Sequence, residues 1–548
     1  MYRQTNMKDL LVQLDDLPDE ILMYIFKKLY NDQVLYSLMD VNQRLNRIVH
    51  DTNFIRHLCL LEYCPIHDST SPLPDSITDR FCSKILPEIG HQIKTLFLSR
   101  TSIERVLRAT NYPNLNNLGL CDAHPEAAKS LLLDENSLIH RFKNHISSLF
   151  ISFDKGDNFC PIGLICSSIF EEILILFTNL QCLIFNPSAT LYNAVTFLYS
   201  DSFGVCSTLL ELHISVTKME ECLYILDEIF DQLRILHVTF HNIPSQSHHI
   251  EHKKKLLTNL RIFSLCCKQE IYDFNGLIAP LLRRMLNLEE LDLNIKLMSY
   301  TEFIDIDILK NDIIIYMPRL QKFTFNIYSI IDHRHQAIFP LNEHMEKTFQ
   351  YFSNNQITTR IDHFEKGRFS QCHVYSSSYK MKIYNNITNN FRGGIFTSVT
   401  EVSLRDEYPF EHEFFLRIAQ SFPSMKQLTI KNRQAQNNKQ LIKSNNDYQI
   451  LSIIEYPNLT RLDLNNAHDD YVELFLFDTK MSVPNNLHLC VDYQSLKRVT
   501  YYFTRYITRN NYVKLAALYC DPNQENDEHF KKYFTNTRIY NTFDFIIL

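Results

Sequence analysis

Apolar residues follow two rhythms along this chain, and the first is helical. Ile21, Leu22, Ile25, Phe26 and Leu29 fall at i, i+1, i+4, i+5 and i+8, one face of a 3.6-residue period. Pro18 suits the start of such a helix, since its fixed φ and missing N–H cost nothing there. Asp19 and Glu20 follow where the helix dipole favours negative charge. After a polar break at Asn31, Asp32 and Gln33, a second helical set runs through Leu35, Leu38, Val41, Leu45 and Ile48, with Asn42, Arg44, Asn46 and Arg47 largely on the other side. Two or three helices of roughly 45 residues make a small core. Part of their apolar face is therefore expected to meet something else.

Beyond residue 90 the rhythm changes to a recurring six-residue strand signature, apolar-x-x-apolar-x-apolar. Its clearest copies begin at Leu115, Leu209, Leu233, Leu288 and Leu459, often just after Asn or Pro, and looser ones begin at Ile93, Ile146, Leu180, Leu260, Leu320, Val399, Met425 and Leu496. From Ile93 to Leu320 the starts advance by 22, 31, 34, 29, 24, 27, 28 and 32 residues, averaging about 28. The third and fifth positions, which the signature leaves free, would point to the exposed face of a sheet. Of these 26 residues only Phe97, Phe150, Cys182, Ile184, Ile235 and Ile262 are apolar, where a composition of 45% hydrophobic would give about 12. That deficit predicts half-buried strands.

Helical patterns lie between the strands, in Met219 to Gln232, after Asn275, and in Glu411 to Ser424. Strand, helix, strand at this pitch implies a parallel sheet, because each crossover returns the chain to the same end. The expected fold class is α/β: an N-terminal three-helix module, then a leucine-rich-repeat-like solenoid. The expected divisions are a module over 1–60, a helical linker over 61–92, and the repeat body over 93–548, in which about 326–398 is either an irregular insertion or a pair of strongly diverged repeats. Within that insertion, Gln371 to Tyr384 alternates like a β-hairpin, and Asn385 to Asn390 with Gly393 and Gly394 read as loop. Asp521 to Glu528 reads as an acidic loop before an apolar end at Phe543 to Leu548.

Composition narrows the chemistry. A net charge of -7 gives no basic excess of the kind phosphate backbones select, so no nucleic-acid partner is expected. No apolar run reaches membrane-spanning length, and the start lacks a signal peptide's pattern, so no membrane and no secretion are expected. The 14 cysteines are scattered, without C-x-x-C, and are expected to be reduced and buried. With nine glycines, phosphate-cradling and nucleophile-elbow motifs are absent. His57, Cys59, Cys64 and His67 are the one dense group of metal-ligand types, but Leu58, Leu60 and Leu61 between them suit a linker helix. His248, His249 and His252 beside Lys253 to Lys255 read as a solvated loop. No cofactor, no metal and no catalytic residue are expected.

The residues of the opening module carry a resemblance. Leu17-Pro18-x-Glu20-Ile21-Leu22-x-x-Ile25-Phe26-x-x-Leu29, followed by Leu38-x-x-Val41-Asn42-x-Arg44, resembles the F-box over roughly Leu14 to Asp51. The family often has a Trp soon after the third helix; this chain has none, and Phe54 stands near that place. The resemblance implies that Leu17, Pro18, Ile21, Leu22, Ile25, Phe26, Leu29, Leu38, Val41, Asn42, Leu45 and Ile48 form the face for a Skp-type adaptor, which joins such proteins to a cullin scaffold. The repeat pattern is similar to the divergent leucine-rich repeats that follow many F-boxes, although it lacks a steady Asn after the third apolar position. The expected function is that of a non-catalytic substrate receptor of an SCF ubiquitin ligase, cytoplasmic or nuclear, with a protein target. The alternative is a protein-interaction scaffold outside the ligase. Target contacts are expected from the strand face at Glu211, His213, His237, Glu290, Asp292, Lys322, Arg461, Asp463 and Arg498.

Overall fold

The computed structural model describes residues 14–64, 69–153, 163–186, 194–196, 207–241, 255–299, 303, 306–333, 357–437, 453–477, 481–505, 511–521, 528–535 and 537–542. The histidines at 248, 249 and 252, most of the acidic loop and the apolar end at 543–548 lie outside these. The chain divides into two compact units, Met1–Leu297 with Asp305–Phe323, and Met298–Ile304 with Thr324–Leu548.

The first unit opens with three short helices, α1 (Asp19–Phe26), α2 (Asn31–Leu38) and α3 (Gln43–Val49). The second helical set is split in two by Asn42, whose side-chain oxygen accepts from the Leu45 N–H at 2.7 Å and caps α3. A large sheet of mostly parallel strands follows: β1 (His57–Cys64), β2 (Ser69–Pro72), β3 (Thr95–Ser99), β4 (Asn117–Ala123), β5 (Ser148–Phe153), β6 (Cys182–Phe185), β7 (Glu211–Val216), β8 (Ile235–Phe240), β9 (Ile262–Ile271) and β10 (Glu290–Ser299). Only β2 is antiparallel, on β1; β1 pairs parallel with β3, and from β3 to β10 each strand pairs with the next in chain order. Each predicted copy from Ile93 to Leu288 starts two residues before one of these strands. Its fourth and sixth positions, such as Leu118 and Leu120 or Leu236 and Val238, are buried against the crossover segments. Complete burial of such a side chain contributes about 1.5–3 kcal/mol.

Two hydrogen-bond patterns mark the copies as equivalent. In each, the second-position carbonyl accepts two consecutive N–H groups of the next copy, as Asn116 O does from Ser147 and Ser148 and Arg234 O from Arg261 and Ile262. In addition, in four of the copies an asparagine just ahead of the first apolar position donates its side-chain amide to a carbonyl two residues before the start of the preceding copy. The bonds are Asn114 to His91 (2.6 Å), Asn179 to Asn144 (2.8 Å), Asn259 to Asp231 (2.9 Å) and Asn287 to Thr258 (2.9 Å). The repeating asparagine thus sits before the strand rather than after it.

The expected linker helix over His57 to His67 is instead strand β1. Leu58 and Leu60 are each 1% exposed while His57 and Cys59 face outward, a period of two that a helix cannot produce. Ile55-x-x-Leu58-x-Leu60 is in fact a further copy of the strand signature, and Arg56 O accepts from Lys94 and Thr95 as the later copies do. A boundary at residue 60 would cut through this strand. Helical segments do occupy part of the expected linker, at Asp75–Arg80, Phe81–Ile85 and Leu86–Ile89.

β11 (Lys322–Asp332) starts at the end of the first unit, and most of it belongs to the second. There, β12 (Ile357–Phe364) and β13 (Phe369–Ser376) form an antiparallel hairpin, and β11 is antiparallel on the other side of β13. The hairpin therefore ends where it was expected to begin. The chain after β13 does not turn back, because Met381 and Tyr384, each 2% exposed, lead it into β14 (Ile383–Ile387), the first strand of a second parallel sheet. Asn386, at φ 50°, makes an irregularity in that strand, which is why the segment reads as loop.

The second sheet continues through β15 (Glu401–Arg405), β16 (Gln427–Asn432), β17 (Ile454–Glu455), β18 (Arg461–Ala467), β19 (Met481–Ser482), β20 (Leu487–Cys490), β21 (Leu515–Tyr519) and β22 (Arg538–Tyr540), in the order β14-β15-β16-β18-β20-β21-β22, with β17 and β19 a separate pair. The copies at Val399, Met425 and Leu459 open β15, β16 and β18, and Asn458 donates to Pro423 O at 2.9 Å as its counterparts do. The copy at Leu496 is not a strand: Tyr493–Val499 is a helix capped by Asp492, whose carboxylate accepts from the Ser495 N–H at 2.8 Å. Apolar residues three apart serve a helix as well as this signature, and the cap decides between them.

Candidate functional site

The helical module has a core and an apolar surface, and the residues expected to form one face divide between them. Leu22, Phe26, Leu45 and Ile48 are 0–5% exposed, Val34, Leu35 and Phe54 are buried as well, and the Phe26 and Phe54 rings meet edge to face at 6.5 Å. Phe54 thus takes a core position. The four residues are corrected from surface to interior, since helices this short need every inward apolar position to hold together. Ile21 (46%), Ile25 (36%), Leu29 (48%) and Val41 (58%) lie outside, with Pro18 exposed and Leu17, Leu38 and Asn42 half-buried. Tyr24 and Tyr30 add 64% and 60% exposed rings.

An electrostatic clasp holds the module in shape. Arg44 and Arg47 of α3 bond the Asp19 carboxylate at 2.7 and 2.9 Å, and Arg44 also donates to the Leu17 carbonyl. The hydrogen bond from Arg44, with lesser help from Arg47, holds the Asp19 carboxyl below its usual range. Behind, the module packs on the sheet unit: Tyr36 stacks on Phe81 at 6.3 Å with the Arg80 guanidinium over its ring, and Asn31 donates to His57 O at 2.8 Å. One side of the module is thus covered, while the Ile21, Ile25 and Val41 side chains are not.

The second candidate surface is the face of the first sheet formed by third and fifth positions. Parallel register aligns them in rows. One row runs Phe97, Gly119, Phe150, Ile184, His213, His237, Ser264, Asp292 from β3 to β10. Its first half is apolar: the Phe97 and Phe150 rings approach to 5.5 Å across Gly119, where a Cβ would stand 2.2 Å from the Phe97 ring. The second half is polar, and its groups hold each other. Glu211 bonds His213 at 2.7 Å, His213 stacks on His237 at 4.1 Å, Ser264 donates to Asp292 at 3.0 Å, and Lys322 pairs with Glu290 at 2.8 Å. Burial, then the neighbouring His213, pushes the His237 imidazole down to about 4, so it is neutral near pH 7.

Arg461 and Asp463 stand on β18 in the second unit, half-buried; burial lowers the arginine and raises the aspartate. Arg498 is not on a strand face at all. Its helix carries it to Asp469, which it grips through two nitrogens at 2.6 and 2.8 Å.

Among the described residues no three His, Cys, Asp or Glu side chains are placed to hold a metal, no cysteine is in a disulfide, and no helix is long and apolar enough to cross a membrane. His57 and Cys59 point out of β1, while His67 lies outside the described residues. Burial pushes the Cys166 and Cys222 thiols up to about 12, so neither is a thiolate near neutral pH.

These features define a class: a small helical module with uncovered apolar side chains, joined to sheets of mostly parallel strands. Residues 14–61 match the F-box-like family, which supports reading the chain as an F-box protein. No curated protein matches the chain.

Proposed function

We propose that this chain is the substrate-recognition subunit of an SCF-type ubiquitin ligase. Its helical module binds a Skp-type adaptor, and through it a cullin scaffold; its repeat body, a leucine-rich-repeat-like solenoid, binds a target protein. The observation that carries this reading is the F-box-like match over 14–61 together with the uncovered apolar side chains of Ile21, Ile25, Leu29 and Val41 within that segment. Exposed apolar side chains on a short helix (Ile21, Ile25) and on the turns that follow α1 and α2 (Leu29, Val41) are the kind of surface an adaptor groove buries. The repeated asparagine bonds support the solenoid, because copies at Leu115, Leu180, Leu260, Leu288 and Leu459 make the same contact with the copy before them. The chain performs no bond chemistry and needs no cofactor; it raises the concentration of a target beside a charged conjugating enzyme. It works in the cytoplasm or nucleus.

The test is a pull-down of purified Skp-type adaptor by the full chain and by an Ile21→Asp, Val41→Asp variant. Both positions are exposed, so the variant keeps its fold and loses the adaptor. Failure of the unaltered chain to bind, or equal binding by the variant, refutes the adaptor face. Adaptor binding without recruitment of the cullin refutes the ligase role and leaves a scaffold.

A further inference from the structure

The second unit holds a concavity of about 470 Å³ that the adaptor reading does not use. The C-terminal ends of β15, β16 and β18 form one wall. Parallel register sets Arg405 beside Lys431, and Lys431 beside Asn466. Arg433 follows β16 and donates to the Asn466 side-chain oxygen at 3.3 Å. The turn between β12 and β13 brings Lys366 to the opposite rim.

Neighbouring strands are about 4.8 Å apart, so Arg405 and Lys431 are like charges side by side, an arrangement that costs free energy unless an anion lies between them. Asp406 and Glu407 line the same space, but both are already engaged. Glu407 accepts the Lys366 and Gly367 N–H groups at 3.0 and 2.7 Å, pinning the turn, and Asp406 accepts from the Asn389 N–H and the Tyr408 N–H at 2.7 and 3.0 Å. Among the described residues none of Lys366, Arg405, Lys431 and Arg433 is within ion-pair distance of a carboxylate, and only the half-buried Asp463 of β18 acts on Lys431 from further off. Arg405 is nonetheless held in place, its guanidinium 4.7 Å from the Phe369 ring centre and 5.7 Å from that of Phe364. Stacking fixes a guanidinium without using its N–H donors, which stay free for an oxyanion.

We propose that this concavity binds a phosphoryl group. Four cations against two engaged carboxylates suit a dianion better than a single carboxylate. The volume also leaves room for whatever carries the group.

The test uses the full chain and fluorescence anisotropy in about 50 mM salt, where screening is weak. The probes are a labelled pentapeptide with central phosphoserine and its serine and glutamate versions, with inorganic phosphate as competitor. The phosphoserine peptide is expected to bind at least about tenfold more tightly than the other two, and Lys431→Gln with Arg433→Gln to erase that preference. Both side chains are exposed, so the variant folds, and an unchanged thermal melt verifies it. Displacement by inorganic phosphate at similar concentration identifies a small phosphate compound as the ligand; displacement only at large excess identifies a phosphorylated chain. Equal binding of the three peptides, or a preference that survives in the variant, overturns the proposal. The Ile21→Asp, Val41→Asp variant keeps the preference, so failure here is separable from failure of the adaptor reading.

Discussion

The helical module and the strand face of the first sheet both offer half-exposed side chains, yet they settle them in opposite ways. On the strand face the polar groups answer one another along and between the rows: glutamate to histidine, histidine to histidine, serine to aspartate, lysine to glutamate. On the module, Ile21, Leu29 and Val41 stay 46–58% exposed beside a complete core. Apolar area in water is a standing cost that only a partner removes. A face whose charges are mutually satisfied carries no such cost, and says correspondingly little about what binds it.

The largest expected effect separates core from surface inside one helix. Phe26→Ala should cost about 3–5 kcal/mol of module stability, whereas Ile21→Asp should stay within about 0.5 kcal/mol. Denaturant melts followed by a probe in α1 would measure both, and comparable losses would erase the distinction between the two sets. Next is the pH response of the strand face. The folded imidazole of His237 takes up its proton near 4 and the unfolded one near 6.5, so stability should fall as pH drops through that window. Glu211, His213 and Asp292 face it, and His237→Gln should flatten the slope; an unchanged slope would place the titration elsewhere. Asn42→Ala removes the α3 cap and should cost about 1 kcal/mol. The smallest change is Lys322→Ala, which breaks an exposed pair with Glu290 and should move stability by less than about 1 kcal/mol. A larger loss would mean that the strand face supports the fold more than its exposure suggests.

Period and spacing make much of this molecule legible in its sequence. Each copy of the strand signature but the one at Leu496 opens a strand, because alternation toward a buried face is the same demand in every repeat. The exception marks the limit of that signal: a three-residue apolar step suits strand entry and helix alike, and only the Asp492 cap distinguishes them. The copy at Ile55 has the same spacing, but it adjoins the helical module and metal-type residues, and so reads as helix. Which apolar residues of the module point outward is less legible. Leu22 and Ile21 are neighbours with the same chemistry, and only the packing of Phe54, Leu35 and Leu45 assigns one to the core and the other to solvent. The concavity of the second unit is not legible at all, since it joins a hairpin turn at Lys366 to the strand ends at Arg405 and Lys431, far along the chain.

The direct passage from Asp51 through the one-turn helix Thr52–Ile55 into β1 has a mechanical meaning. No slack chain separates the module's helices from the first strand of the sheet, and Asn31 bonds the strand's opening carbonyl across the joint. Such a joint acts as a ruler rather than a leash. The exposed side chains of the helices are thereby held at a set distance and heading from the neighbouring strands, so inserting even a few glycines at residue 56 would alter that spacing without touching either surface.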